Sequence, residues 1–181
     1  DGPAFEPAHI MALIRSLIFN TLFYVSMILY MIILLPLLIL PQRYVMILVR
    51  FWSRYFIWLC THVAGIKMEV RGAHRRTGPV LIAAKHQSLW ETMALLQFFD
   101  DPCFILKREL LAAPLLGLVL RKLGAQGVDR SGDLAQAAHA FRQARDAFRQ
   151  GRSIILSPEG TRRPPGASAA YDPGVHALYR A

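Results

Sequence analysis

Residues 80–91 read VLIAAKHQSLWE and combine an apolar run with a group of polar side chains. The continuous apolar run Val80–Ala84 is typical of a strand that is buried on both faces. Ser153–Leu156 is a second run of this kind, and SPEGTR follows it at 157–162. In open α/β sheets, ligands bind beyond the carboxyl ends of the strands. Both polar segments are therefore candidates for a functional site.

Three further segments are predicted strands: Ile66–Val70, Cys103–Leu106 and Ala125–Val128. Helical patterns lie between them, and the clearest covers Asp133–Gln150. One side of this helix is predicted to face the sheet through Leu134, Ala137, Ala138, Phe141, Ala144 and Phe148. The alternation of strands and helices predicts an α/β layered fold with a mostly parallel sheet.

An uncharged apolar run, Leu17–Leu40, precedes these elements. A helix over this run would be about 36 Å long, and the hydrocarbon core of a bilayer is roughly 30 Å thick. The run is longer than the roughly 7–15 apolar residues of a secretory signal. We therefore predict an N-terminal membrane anchor, with Pro36 and Pro41 kinking or ending its helix.

A second apolar stretch, Tyr44–Ile66, is rich in aromatic residues but is interrupted by Arg50 and Arg54. This pattern indicates an interfacial segment, or the returning arm of a helical hairpin whose arginines reach lipid head groups. An amphipathic helix packed on the globular part is the alternative. The predicted organisation is an anchor over residues 1–66 and an α/β domain over residues 67–181.

The composition narrows the class of protein. The chain has 181 residues, is 54% hydrophobic and carries a formal net charge of +9. This hydrophobicity excludes a disordered chain, and two cysteines do not make a disulfide framework. The positive charge favours an anionic partner, and a nucleic acid, a membrane surface and a phosphorylated substrate all carry such charge. Nucleic acid is disfavoured because the aromatic residues cluster in the apolar N-terminal stretch instead of forming a stacking platform.

The distribution of positive charge predicts the orientation in the membrane. Arginines concentrate after the first apolar run, which predicts that the α/β domain lies in the cytoplasm.

His86 is the candidate proton acceptor, since histidine titrates near neutral pH and needs a partner that fixes its tautomer. Glu91 can be that partner if His86 lies in a turn and Glu91 begins the next helix. Arg162 suits bidentate contact with a phosphate, and Lys107 and Arg130 follow two other predicted strands. Cations at several strand ends predict a site for an anionic substrate. Ser88 lacks the Gly-x-Ser-x-Gly pattern of a hydrolase nucleophile.

Three motifs occur in a characteristic order: His86 with an acid at position 91, Lys-x-Glu-Leu at 107–110 with Asp129-Arg130 downstream, and Pro-Glu-Gly-Thr-Arg at 158–162. Together they closely resemble the glycerolipid acyltransferase family. The resemblance implies a bacterial inner-membrane enzyme that faces the cytoplasm. It would move a fatty acyl group from acyl-CoA or acyl carrier protein to lysophosphatidate, giving phosphatidate in phospholipid biosynthesis.

By the same resemblance, His86 is the general base and Glu91 orients it. No metal or organic cofactor is implied. The residues implied in binding the acceptor phosphate are Lys107, Arg130, Glu159, Gly160, Thr161 and Arg162.

Two features depart from the family pattern. The family usually has Asp where this chain has Glu91, and a fourth motif, an apolar strand with prolines, is expected beyond the phosphate loop. The sequence ends at Ala181 before such a strand, so we expect a chain truncated at its C-terminus. Another lysolipid acceptor, such as a lyso-aminolipid or a lysophospholipid, is the alternative within the enzyme class. A non-catalytic, membrane-anchored lipid-binding protein is the alternative outside it.

Overall fold

The computed structural model describes residues 7–72, 78–128, 134–162, 164, 166–168 and 171. Within these ranges, four short strands form one sheet and helices precede and separate them. The helices are α1 Pro7–Leu37, α2 Gln42–Leu59, α3 Trp90–Leu95, α4 Arg108–Ala112, α5 Leu116–Lys122 and α6 Leu134–Arg149. The strands are β1 Leu81–Ala83, β2 Cys103–Lys107, β3 Gln126–Val128 and β4 Ile154–Leu156. A π-helical turn, Cys60–Ala64, extends α2.

The sheet has the order β1-β4-β2-β3, and every neighbouring pair of strands is parallel. Leu81 pairs with Ile154 and Ile105 pairs with Gln126. The predicted α/β fold with a parallel sheet is confirmed. The buried run Ile154–Leu156 lies inside the sheet, whereas β1 lies at its edge and is only partly buried. All four carboxyl ends lie on the same side of the sheet because the strands are parallel.

Helix α6 covers one face of the sheet. Its buried residues are Ala140, Ala144 and Ala147, which follow helical spacing and have small side chains. Ala144 and Ala147 pack against Cys103, Ile154 and Leu156. The inward face was predicted partly wrongly, because Ala138 is exposed and Phe148 is 37% exposed. Small side chains at the buried positions let the helix approach the strands closely, and Phe141, which was also predicted to face inward, packs against the same cluster while partly buried. The side chains of Leu134 and Ala137 lie outside the described residues. The predicted start of the helix at Asp133 lies outside the described residues.

The N-terminal helices α1 and α2 form a hairpin. Phe23 of α1 contacts Trp52 and Phe56 of α2, with ring centroids 5.9 and 5.5 Å apart. As predicted from the prolines, α1 ends just after Pro36 and α2 begins just after Pro41. The segment His9–Leu37 is long and apolar enough to cross a membrane, with a mean hydropathy of 2.2, and only 6% of its most apolar stretch is buried.

Helix α2 also packs on the globular part. Val45 and Met46 share a buried cluster with Leu96, Val119 and Leu123, which lie on or beside α3 and α5. Two arginines of α2 contact this part of the molecule. Arg50 pairs with Asp100 at 2.7 Å, and Arg54 donates to the side chain of Gln97 at 3.2 Å. The second apolar stretch thus combines a hairpin arm with an amphipathic packing helix.

The predicted strand Ile66–Val70 is wrong. These residues have no strand geometry and are exposed. A strand is stabilised by hydrogen bonds to a neighbour, and among the described residues no strand pairs with this segment.

Candidate active site

The strand order brings two polar loops side by side. Because β1 and β4 are neighbours, the segment after Ala83 lies next to the segment after Leu156. The backbone amide of Ala84 donates to the carbonyl of Leu156 at 2.9 Å, and the hydroxyl of Ser157 donates to the carbonyl of Ala84 at 3.1 Å. The loops that contain His86 and Glu159 therefore leave the sheet together.

His86 and Glu91 are in direct contact. His86 lies in the turn after β1, and Glu91 is the second residue of α3. The distance from His86 Nδ1 to Glu91 Oε1 is 2.5 Å. This is the strand-to-turn-to-helix geometry that the sequence spacing requires for the pair to meet. With an ionised Glu91, Nδ1 carries the proton and donates it, which leaves Nε2 as an acceptor. The His86 side chain is 34% exposed.

Glu91 is held by several donors besides His86. Its Oε1 accepts from the backbone amide of Gln87 at 3.1 Å, and its Oε2 accepts from the amide and hydroxyl of Ser88 at 3.0 and 2.8 Å. Burial raises the pKa of Glu91, but the hydrogen bonds from the backbone, Ser88 and His86 outweigh burial and lower it overall. The carboxylate is therefore fixed in place and ionised at neutral pH.

Ser88 is a functional candidate that the sequence reasoning missed. The sequence pattern indicates only that Ser88 is not a hydrolase nucleophile, whereas in the structure its hydroxyl orients Glu91 and accepts from the amide of Trp90 at 3.0 Å. The signal was present, because Ser88-Leu-Trp-Glu91 has the Ser-x-x-Glu spacing of a capping box. In that motif the acid reaches back to the amide of the serine, as Glu91 does here. The longer side chain of Glu, compared with the Asp that is usual in the family, is accommodated by this reach.

The predicted phosphate-binding residues that the structure describes lie at or after the carboxyl ends of β2 and β4. Lys107 ends β2, which neighbours β4, and its side chain is exposed, as is that of Arg162. Strands lie about 4.8 Å apart, so β2 lies about 10 Å from β1 across the sheet. Gly160 has a φ of 60° in the turn that its amide closes on the Ser157 carbonyl, and Thr161 is partly buried. Arg130 lies outside the described residues.

Glu159 has surroundings that do not suit a direct phosphate ligand. Its side chain is only 2% exposed, and its Oε1 lies 3.8 Å from Lys85 Nζ. Its Oε2 is buried without a hydrogen-bond partner among the described residues. A carboxylate repels a phosphate, and this one points into the protein. Among the described residues, Lys85, which was not predicted as a site residue, is the cation beside it.

A separate cavity of about 720 Å³ lies between α4, α5, β3 and α6. Arg108, Arg121 and His139 are among its lining residues, and neither His86 nor Glu91 is. Both cysteines, Cys60 and Cys103, are free and buried. Burial raises the pKa of the Cys103 thiol, which keeps it protonated and unreactive.

The family model described as Acyltransferase matches residues 67–180. The chain belongs to the acyltransferase family. The match begins after the helical hairpin and includes every candidate residue of the site. It confirms the family that the ordered motifs indicate.

Curated relatives support this membership. The chain is 38% identical over 144 residues to a 1-acyl-sn-glycerol-3-phosphate acyltransferase of Pseudomonas aeruginosa, covering 79% of this chain and 56% of that protein. It is 32% identical to the enzyme of the same name from Borreliella burgdorferi, covering 71% of this chain and 50% of that protein. A lyso-ornithine lipid O-acyltransferase of Rhizobium meliloti is 28% identical, over 67% of this chain and 38% of that protein. The chain spans about half the length of the curated relatives it matches.

The fold has a close counterpart among solved structures. The crystal structure of the 1-acyl-sn-glycerophosphate acyltransferase PlsC from Thermotoga maritima superimposes with a TM-score of 0.69. The match covers 92% of this chain and 70% of that one, at 22% sequence identity. The similarity therefore extends beyond the α/β part into the N-terminal hairpin.

Proposed function

We propose that the protein transfers a fatty acyl group from acyl-CoA or acyl carrier protein to the free hydroxyl of 1-acyl-glycerol-3-phosphate, giving phosphatidate for phospholipid biosynthesis. The observation that carries the proposal is the His86–Glu91 contact of 2.5 Å beside the loop that contains Arg162. Family membership and the names of two curated relatives point to the same reaction.

In the proposed mechanism, Nε2 of His86 removes the proton from the acceptor hydroxyl as its oxygen attacks the thioester carbonyl carbon. The C–S bond then breaks, the new ester forms, and the imidazolium returns its proton to the departing thiolate. Glu91 keeps Nδ1 protonated and stabilises the imidazolium, as a buried carboxylate does in a Ser-His-Asp triad. General base catalysis of this kind contributes roughly 10²–10⁴ in rate. The attacking oxygen belongs to the acceptor, so no enzyme nucleophile takes part.

The phosphate of the acceptor would be bound by the cations at the strand ends. Arg162 and Lys107 are exposed at this edge, and charge-assisted hydrogen bonds to phosphate are stronger than neutral ones. Gly160 and Thr161 add backbone and hydroxyl donors, and Arg130 is assigned to the same role from its position after β3. We assign Glu159 an indirect role, because its carboxylate faces Lys85.

The proposed location is the cytoplasmic face of a bacterial inner membrane. The support is the apolar surface of the hairpin, where Ile28 and Ile32 of α1 are 56% and 59% exposed, and Phe51 and Trp58 of α2 are 67% and 51% exposed. Contact with lipid would remove this surface from water. The excess of arginine after α1 supports a cytoplasmic α/β part. Residues 1–66 are proposed as the anchor, and residues 67–181 as the catalytic domain.

An acceptor panel tests the proposal. The full-length protein is incubated with acyl-CoA or acyl carrier protein thioester and with one of three acceptors: lysophosphatidate, lyso-ornithine lipid or lysophosphatidylethanolamine. Products are identified by mass spectrometry. We expect phosphatidate as the main product. A preference for lyso-ornithine lipid, the second candidate because of the Rhizobium relative, would reassign the acceptor. If no acceptor gives an acylated product, the proposal that this protein is an acyltransferase is contradicted.

A further inference from the structure

Lys85 and Glu159 form an ion pair that links the two polar loops. Lys85 immediately precedes His86, and Glu159 lies three residues before Arg162. Lys85 Nζ and Glu159 Oε1 are 3.8 Å apart. The two loops are already aligned at their bases by the contacts between Ala84 and residues 156–157. The ion pair adds a link between the loops beyond the ends of the strands.

The burial of Glu159 favours this ion pair. Its side chain is 2% exposed and one carboxylate oxygen has no hydrogen-bond partner among the described residues. A buried carboxylate without a counter-charge is strongly unfavourable. Lys85, with a side chain that is 45% exposed, is the cation that offsets it. The position of the Lys85 ammonium group is thereby set by a residue of the neighbouring loop.

We propose that Lys85 is a positioning residue that holds His86 at a fixed distance from the phosphate-binding loop, and that Glu159 acts on the reaction through Lys85. The inference deepens the proposed function and rests on it. In lysophosphatidate the reacting hydroxyl and the phosphate are separated by a short glycerol unit. A bound phosphate therefore presents the hydroxyl to His86 only if the two loops keep their spacing. A misplacement of about 1 Å can cost roughly 10²-fold in rate.

Kinetics of single and double variants test this. Lys85→Met, Glu159→Gln and the double variant are compared with wild type in the full-length protein, with lysophosphatidate as acceptor and inorganic phosphate as competitor. We expect kcat to fall about 10–100-fold in each variant. The acceptor KM and the inhibition constant of phosphate should change less than about threefold, because the phosphate ligands are retained. The double variant should be no slower than the slower single variant, since both break one interaction.

Lys122→Met is the matched control, because Lys122 ends α5 ahead of β3, at the opposite edge of the sheet from His86. It should keep wild-type kcat. Lys85→Arg, which retains the cation, should recover most of the kcat that Lys85→Met loses. The double variant buries no unpaired charge and keeps the test open if a single variant does not fold.

Three results would overturn the inference. They are a kcat within twofold of wild type, a loss in the double variant equal to the product of the single losses, and an increase in the phosphate inhibition constant that matches the loss of activity. The last result would make Lys85 a direct phosphate ligand. Failure of the proposed function would look different, because wild type itself would then transfer no acyl group.

Discussion

Replacing Glu91 with Gln removes the charge beside His86 and one acceptor atom. Oε1 accepts from His86 Nδ1 at 2.5 Å and from the Gln87 amide at 3.1 Å, while Oε2 accepts from the Ser88 amide at 3.0 Å. An amide must place its NH₂ group against one of these N–H donors. If it faces His86, the histidine must change tautomer, and Nε2 then carries the proton and cannot act as a base. If it faces Ser88, the part-buried Ser88 amide loses its 3.0 Å hydrogen bond to Oε2 and keeps only the longer contact of 3.2 Å with Oε1.

We expect kcat of Glu91→Gln to fall about 10²–10⁴-fold, the range that a positioned base contributes. This corresponds to about 3–5 kcal/mol of transition-state stabilisation. The assay is thiol release from acyl-CoA with lysophosphatidate as acceptor. Glu91→Asp is the matched variant, because it keeps the charge but draws the carboxylate back by about 1.5 Å. Its activity should lie between those of wild type and Glu91→Gln. A rate for Glu91→Gln within threefold of wild type would refute the role of Glu91.

The stability of the same variant should depend on pH. The folded protein lowers the pKa of Glu91 below its usual 4.5, so the ionised carboxylate stabilises the fold above pH 4.5. This stabilisation is lost as the pH falls through the lower folded pKa. The difference in melting temperature between wild type and Glu91→Gln should therefore be largest near neutral pH and shrink below pH 4.5. A difference that stays constant down to pH 3 would contradict the hydrogen-bond geometry.

Three further variants test separate parts of the structure. Ser53→Val removes a buried hydroxyl that donates to the carbonyl of Met93 at 2.7 Å and accepts from Gln97 at 2.6 Å. Thermal unfolding should show that the free energy of unfolding falls by about 1–3 kcal/mol. An unchanged melting temperature would mean that this hydroxyl does not hold α2 to α3. Gly117→Ala places a Cβ in steric clash with the carbonyl oxygen of Leu111, so it should lower the free energy of unfolding by about 1–3 kcal/mol. A neutral effect would show that α4 can move away. Arg162→Ala should raise the acceptor KM about 10–100-fold, since a charged hydrogen bond contributes roughly 1.5–3 kcal/mol. The KM of the acyl donor should change little. Equal increases in both KM values would indicate that Arg162 has a role in folding.

The sequence patterns predicted the elements that depend on local composition. Val80–Ala84 is apolar over its full length and Ser153–Leu156 is apolar after Ser153, and both segments contain strands. Ile66–Val70 alternates apolar and charged residues, a pattern that also predicts a strand, and it is not a strand. The difference depends on whether another strand is available as a partner, which the segment itself does not encode.

The sequence was sufficient to predict that the site residues lie at the carboxyl ends of the strands. A parallel sheet brings all strand ends to one side, so His86, Lys107 and Arg162 were expected together. The order β1-β4-β2-β3 was not predictable, because it depends on how the helices cross over the sheet. This order places the loop after β1 beside the loop after β4 and gives Lys85 its contact with Glu159. The pairing of neighbouring loops is a tertiary property, and neither motif indicates it alone.

The most direct test of the central claim is the rate of phosphatidate formation by wild type and His86→Ala. Both full-length proteins are assayed with acyl-CoA and lysophosphatidate, at equal concentration and with melting temperatures shown to match. If His86 removes the acceptor proton, the variant should be slower by about 10²–10⁴-fold. Equal rates in the two proteins would contradict the account, because the His86–Glu91 pair would then have no part in acyl transfer.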